Sequence, residues 1–141
     1  MLFCVPALGL LNGCAPTREL EQPDPLAESS FAVRESVEGV ASYYARKFHG
    51  RKTASGERYD RNRMTAAHKK YAFGTWLRVT SLKSGKSVIV RVNDRGPAKQ
   101  SRIVDLSRAA AEEIGMIRAG LERVRVEVLD WDSHGSVTRD E

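Results

Sequence analysis

The chain has 141 residues and a mass of 15.7 kDa, with 23 Lys and Arg against 18 Asp and Glu, a net charge of +5 and a pI near 9.5. One domain with tails fits that length, and 41% hydrophobic with 29% charged residues is the balance of an ordinary globular core. A multidomain enzyme, a polytopic membrane protein and a low-complexity chain are excluded. Cys4 and Cys14 both lie in the first 14 residues. The folded body is therefore expected to carry no disulfide, no Cys-ligated zinc and no thiol nucleophile. With His49, His68 and His134 as its only histidines, the chain is expected to need no metal and no cofactor.

Residues 1–11 (MLFCVPALGLL) are almost continuously apolar. The run is far shorter than the ~20 residues a spanning helix requires and reads as the h-region of a signal peptide. It ends in Leu11-Asn12-Gly13-Cys14, which resembles the bacterial lipoprotein signal. The resemblance implies cleavage before Cys14 and a lipid anchor on it, and Ala15 implies the periplasmic face of the outer membrane. A plain secretory signal with a chance cysteine is the other reading. Residues 15–37 hold Pro16, Pro23, Pro25, three serines and five acidic residues without periodicity, the composition of a flexible spacer. The domain is expected over 38–130, and the polar residues 131–141 (WDSHGSVTRDE) as a disordered tail.

Within the domain the pattern is mainly β. Residues 39–45 (GVASYYA) predict a first strand. Residues 75–81 (TWLRVTS) and 86–93 (KSVIVRVN) predict two more, joined as a hairpin through Ser84-Gly85. Val88, Val90 and Val92 share one face at period two, as do Val124, Val126 and Val128 in residues 123–129 (RVRVEVL). Residues 102–106 (RIVDL) predict a short strand. Residues 107–114 predict a helix, with Ser107 as N-cap and Gly115 just past its end. Several short strands with one or two short helices suggest a small closed β-barrel. Trp76 is expected in its core.

Five motifs in order then become recognisable: Ala41-Ser42-Tyr43-Tyr44 with Phe48 to Glu57 (FHGRKTASGE), Thr65-Ala66-Ala67-His68, Phe73-Gly74-Thr75, Val90 to Pro97 (VRVNDRGP) and Arg102 to Ser107 (RIVDLS). They resemble the rare lipoprotein A family over about residues 39–129. The resemblance implies a six-stranded double-psi β-barrel, the fold of expansins and some endoglucanases. It also implies lytic transglycosylase activity on peptidoglycan, with a preference for strands stripped of peptide stems, although some members are inactive. This chain departs from the family pattern at Ala45 and at Tyr71-Ala72, and no C-terminal peptidoglycan-binding repeat is expected after residue 130.

Cleaving a glycosidic bond needs a proton donor for the leaving oxygen. A lytic transglycosylase needs one essential acid, which then receives the proton of the muramoyl 6-hydroxyl as that oxygen attacks C1. Asp94 is the candidate. By itself the NDRGP turn reads as an Asp capping its own loop beside Arg95; the five-motif resemblance implies catalysis. The resemblance pairs His68 with this Asp, and since a cationic imidazole would depress the acid, His68 is expected to be neutral. Asp105 is either a helix-cap residue or part of the substrate groove. Glu57, on a loop expected to line the cleft, is left with the same two readings. Of Tyr43 and Tyr44 only one can face the groove of a regular strand, and Tyr44 is the candidate for stacking on a sugar. Arg91, Arg95 and Arg102 are candidate glycan contacts.

The basic charge suits a carboxylate-bearing wall polymer, and a secreted chain is removed from nucleic acid. The expected partners are therefore peptidoglycan glycan strands and, through Cys14, a membrane. Nothing demands more than a monomer. Three readings follow: a lytic transglycosylase with one Asp giving 1,6-anhydromuramoyl ends, a non-catalytic expansin-like binding module, and a two-carboxylate hydrolase using Asp94 and Asp105. The number of carboxylates at the rim discriminates among them.

Overall fold

A computed structural model describes residues 31–131. Six strands follow one another: β1 (Phe31–Tyr43), β2 (Thr65–His68), β3 (Trp76–Ser81), β4 (Ser87–Asp94), β5 (Arg102–Leu106) and β6 (Glu122–Trp131). One α-helix, α1 (Arg108–Glu113), lies between β5 and β6, and a 3-10 turn covers Arg46–Phe48. The strands close into a barrel in the order β1-β5-β2-β4-β3-β6. β1 with β5 and β2 with β4 are parallel, and the other four pairings are antiparallel. This is the mainly β, closed six-stranded class expected.

The alternating valines explain the closure. Val88, Val90 and Val92 of β4 and Val124, Val126 and Val128 of β6 point inward with Leu77 and Val79 of β3, while Ile89 of β4 and Arg123 and Arg125 of β6 are exposed. Helix α1 seals one side with Ala110 and Ala111, both fully buried. Its N-terminus is capped by the Ser107 hydroxyl, which accepts the Ala110 N–H at 3.2 Å. Ser81 breaks the apolar stripe of β3, and its buried hydroxyl donates to the Glu122 carboxylate at the start of β6, so neither polar group is orphaned.

Four local expectations differ from the structure. β1 starts at Phe31, inside the stretch assigned to the spacer, and pairs with β6 from Phe31↔Trp131 to Ala41↔Glu122. Residues 32–36 are exposed, so they carry no apolar alternation to read; backbone pairing to β6 makes them a strand. β6 in turn runs to Trp131, one residue past the expected boundary. β2 has no strand signature in the sequence, because its Thr-Ala-Ala-His is buried throughout and a strand buried on both faces has no polar-apolar period. Trp76 is 38% exposed rather than core, since the inward residues of β3 are Leu77, Val79 and Ser81. The signal segment, Cys14, most of the spacer and residues 132–141 lie outside the described residues.

β2 positions the site. It is hydrogen-bonded between β4 and β5, so Ala67 lies opposite Asp94 on one side and Asp105 on the other. After Asp94 the chain turns through Gly96, whose φ of +141° disfavours any side chain, and through a cis Gly96-Pro97 bond.

Candidate active site

Residues 50–59 fold into a narrow ribbon over the barrel mouth. Gly50 N–H donates to the Tyr59 carbonyl at 2.8 Å and Tyr59 N–H to the Arg51 carbonyl at 2.7 Å, with a further bridge between Lys52 and Arg58. The ribbon tip is tied to the end of β4. Ala54 N–H donates to Asp94 Oδ1 at 2.8 Å and Ser55 N–H to the Asn93 carbonyl at 3.3 Å. Between ribbon and barrel lies an open cleft of about 400 Å³, lined by Asp94, Asp105, Tyr44, Arg95, Arg51 and Lys52 among others.

Both oxygens of Asp94 are engaged, and they are engaged differently. Oδ1 accepts two backbone N–H groups, from Ala54 and from Arg95, each at 2.8 Å. Oδ2 accepts the Tyr44 hydroxyl at 2.5 Å. A carboxylate oxygen has two lone pairs, and fixed backbone donors occupy both on Oδ1. An exchangeable proton on Asp94 therefore belongs on Oδ2. A phenol can both donate and accept, so Tyr44 can donate to the ionised carboxylate and, with its hydrogen turned away, accept from the protonated one. Partial burial and the negative charge of Asp94 push the Tyr44 phenol far above its ordinary range, so it stays protonated.

Tyr44 is thus placed at the cleft, whereas the Tyr43 hydroxyl turns to the Ile117 carbonyl at 2.9 Å. One face of the Tyr44 ring packs on Tyr59, with centroids 4.4 Å apart, and Phe48 meets the ring edge-on at 5.8 Å. Tyr59 is itself 3% exposed and its hydroxyl accepts the Arg108 N–H at the start of α1. Nothing in the sequence marks Tyr59, because an aromatic in a polar loop carries no periodic signal. Ser42 is a second residue outside the set expected from sequence. It donates to Asp105 Oδ1, and the two-residue period of β1 counted back from Tyr44 would have found it.

Asp105 lies in the cleft and does not cap α1, a role Ser107 fills. Besides the Ser42 hydroxyl, its Oδ1 has the Arg102 guanidinium at 3.9 Å. Arg95 borders the cleft, but its guanidinium turns away from Asp94. It donates to the carbonyls of Tyr71 at 2.7 Å and His68 at 3.2 Å and stacks over Phe73 at 4.1 Å. Glu57 lies outside this cleft, in a neighbouring depression of about 540 Å³ that shares Tyr59 as a wall. A bidentate ion pair with Arg91, both contacts at 2.8 Å, and a bond from Asn93 lower its carboxyl to about 2. Glu57 is therefore an ionised clamp on β4 and no proton donor.

His68 is not brought to Asp94. Ala67 faces the carboxylates, so the next residue of the strand points the other way, into a separate depression beside Glu35, Tyr71 and Arg102. The imidazole stacks on Tyr71 at 3.9 Å, and its Nδ1 accepts the N–H groups of Lys70 and Tyr71 at 3.1 and 3.2 Å. Burial, aided by the nearby Arg95 charge, lowers it to about 4, so it is neutral near pH 7. Because the imidazole binds its proton less readily when folded, its contribution to stability is complete above about pH 6.5 and is lost as pH falls through about 4. Urea unfolding midpoints between pH 7 and 4 are expected to fall more steeply for the wild-type chain than for His68→Gln, by on the order of 2 kcal/mol; parallel profiles would contradict this account. Among the described residues no three His, Cys, Asp or Glu side chains converge as a metal site would require.

A family model described as lytic transglycolase matches residues 36–126. Similar curated proteins include an endolytic peptidoglycan transglycosylase RlpA of Pasteurella multocida, 52% identical over 101 residues, covering 72% of this chain and 34% of that protein. The protein of the same name from Neisseria meningitidis serogroup A is 55% identical over 91 residues, 64% of this chain and 38% of the other. The chain thus spans about a third of the length of these curated relatives. Among solved structures, the apo expansin of Clavibacter michiganensis matches with a TM-score of 0.55 and 24% identity over 68% of this chain and 51% of that one. A Streptomyces papain inhibitor matches with a TM-score of 0.55 and 19% identity over 68% and 96%. These two likenesses concern the barrel fold alone.

Proposed function

Since the chain belongs to the lytic transglycolase family, we propose that it cleaves the MurNAc-GlcNAc bond of peptidoglycan glycan strands as a lytic transglycosylase, with Asp94 as its single acid and base. The observation that supports this most is the asymmetry of Asp94: one oxygen is fixed by two backbone donors, and the other, at the cleft, is free to exchange a proton against a phenol. In the first step Asp94 Oδ2–H protonates the glycosidic oxygen, the C1–O bond breaks and positive charge develops at C1. In the second, the 6-hydroxyl oxygen of the same sugar attacks C1 and returns its proton to Oδ2. No water is consumed, and Asp94 ends as it began.

Asp105 in the same cleft keeps one second reading alive, a hydrolase in which Asp105 handles water. Digestion of purified sacculi with mass spectrometry of the products separates the two. Ends carrying a 1,6-anhydro ring are expected; reducing ends would transfer the reaction to hydrolysis, and no release of fragments would leave a binding module. The same reading puts the protein on the periplasmic face of the outer membrane through a lipid on Cys14, on the strength of the Leu-Asn-Gly-Cys run. Metabolic labelling with a fatty-acid probe is expected to mark the wild-type chain; equal labelling of Cys14→Ser would remove the anchor.

A further inference from the structure

The end of the barrel away from Asp94 carries a second surface, one the reaction does not use. β4 begins at Ser87 and ends at Asp94, so the β3–β4 hairpin, residues 82–86, stands about 23 Å of strand from the acid. There the hairpin meets the loop 114–121 that leads into β6. Leu82 N–H donates to the Arg123 carbonyl at 3.0 Å, and Ser84 Oγ donates to the Ile114 carbonyl at 3.1 Å. Leu82 and Leu121 are 39% and 54% exposed. Around them stand Lys83, Lys86, Arg118 and Arg123, all exposed. None of these cations is ion-paired among the described residues.

Two observations set this surface apart from an ordinary solvated end. Neither segment, 82–86 or 114–121, contains an acidic residue. Of the acids on neighbouring elements, Glu122 is buried against the Ser81 hydroxyl and Glu112 is held by Arg108, which leaves Glu113 at the end of α1. The fold also brings the two leucines together. Side chains alternate along a strand, so Leu121 and Arg123 share the outward face while Glu122 and Val124 are buried. Leu82 is the neighbour of Arg123 across the pairing. Apolar side chains inside a ring of free cations suit a surface that is apolar beneath an anionic skin. An acidic protein or wall polymer would use the cations and leave the leucines in water.

We infer that this end docks on a lipid surface bearing anionic phospholipids, with Leu82 and Leu121 dipping between the headgroups and Lys83, Lys86, Arg118 and Arg123 on their phosphates. The inference is independent of the reaction. Its consequence is an orientation: the hairpin lies on the lipid and Asp94, at the other end of β4, is held off it. The length of the chain accords with this. β6 runs from Glu122 beside Leu121 to Trp131, which pairs with Phe31, so the chain enters the barrel about 30 Å of strand from the docked end. The sixteen residues between Cys14 and Phe31 reach at most about 55 Å. A chain anchored at Cys14 can therefore lay its hairpin on the same lipid.

The test uses the full chain with Cys4→Ser and Cys14→Ser, so that no lipid is attached, and vesicles of phosphatidylglycerol in phosphatidylcholine. A fluorophore is placed at Ala119→Cys, in the 114–121 loop, or at Ser101→Cys, in the loop that leaves Asp94. Bromine on the lipid acyl chains is expected to quench the label at 119 and to spare the label at 101. Each cation near an anionic leaflet contributes about fivefold in partitioning. Replacing Lys83, Lys86, Arg118 and Arg123 together by Gln is therefore expected to lower binding to these vesicles at least tenfold at low salt and to flatten its salt dependence, with binding to pure phosphatidylcholine unchanged. Leu82→Ser with Leu121→Ser is expected to keep the salt-dependent attraction and lose the quenching at 119. Equal quenching of both labels, or a Gln variant that binds the vesicles as the parent does, overturns the inference. So does a Gln variant that loses binding to purified sacculi and keeps binding to vesicles, which would assign the cations to the wall polymer. Release of anhydro ends from sacculi in solution is expected to be the same in the Gln variant as in the parent, so failure of the docking surface and failure of the enzyme are read separately.

Discussion

Asp94→Asn is expected to release anhydromuramoyl ends about 10²–10⁴-fold more slowly than the wild-type chain, the usual share of a general acid and base, while unfolding at an unchanged urea midpoint. The two halves of this expectation come from different oxygens. Oδ1 serves the fold: it receives Ala54 N–H and Arg95 N–H and so fastens the ribbon tip to the end of β4. An asparagine keeps that oxygen. Oδ2 serves the chemistry, and in asparagine it becomes an NH₂ that cannot deliver a proton and take it back. The Tyr44 hydroxyl can accept from that NH₂, so no buried group is left without a partner. Asp94→Ala is the contrasting variant. It gives up the Ala54 and Arg95 N–H bonds, both exposed so that water takes them over, at a cost of about 0.5–1.5 kcal/mol, and loosens the ribbon. An Asn variant that loses as much stability as the Ala variant would contradict this division, and one that still forms anhydro ends would remove Asp94 from the chemistry.

Tyr44→Phe is expected to lower kcat about 10–100-fold with little change in KM. The magnitude is that of one hydrogen bond to a charged group, about 1.5–3 kcal/mol. The direction follows from the donor it removes. The phenol donates to Asp94 Oδ2 at 2.5 Å; without it the carboxylate formed when Asp94 gives up its proton loses a donor, and the proton transfer is slower. The ring remains packed on Tyr59, so the barrel is not disturbed. A sugar-stacking tyrosine would behave differently, because stacking requires only the ring and Phe supplies one. Unchanged kinetics in Tyr44→Phe, or a raised KM with an unchanged kcat, would return Tyr44 to substrate binding.

The parts of the fold that were legible share one property. In β4 and β6, in the hairpin between β3 and β4, and in α1 with its Ser107 cap, each residue's role depends on near neighbours in the chain. Val88-Val90-Val92 announces one buried face because side chains in a strand alternate. Residues 31–37 and β2 announced nothing. The former pairs with β6 across 89–100 residues of chain and presents mostly exposed side chains; the latter is buried on both faces. Both are strands because of where other strands lie. Trp76 shows the same limit from the other side: a large apolar residue at a strand's start says nothing about which face it takes.

The site divides along the same line. Sequence by itself determined that Asp94 stands at the end of a strand in a Gly-Pro turn, that at most one of two adjacent tyrosines can face the groove, and that the chain carries the motifs of its family in order. These are local facts of bond geometry, period and residue type. Only the tertiary structure decided which groups meet. It brought Asp105 to the cleft rather than to the helix cap, turned His68 and the Arg95 guanidinium away from Asp94, and gave Glu57 to Arg91. The reason is closure of the barrel. β2 is paired to β4 on one side and β5 on the other, so Asp94 and Asp105 become neighbours through Ala67, a contact that no spacing along the chain encodes.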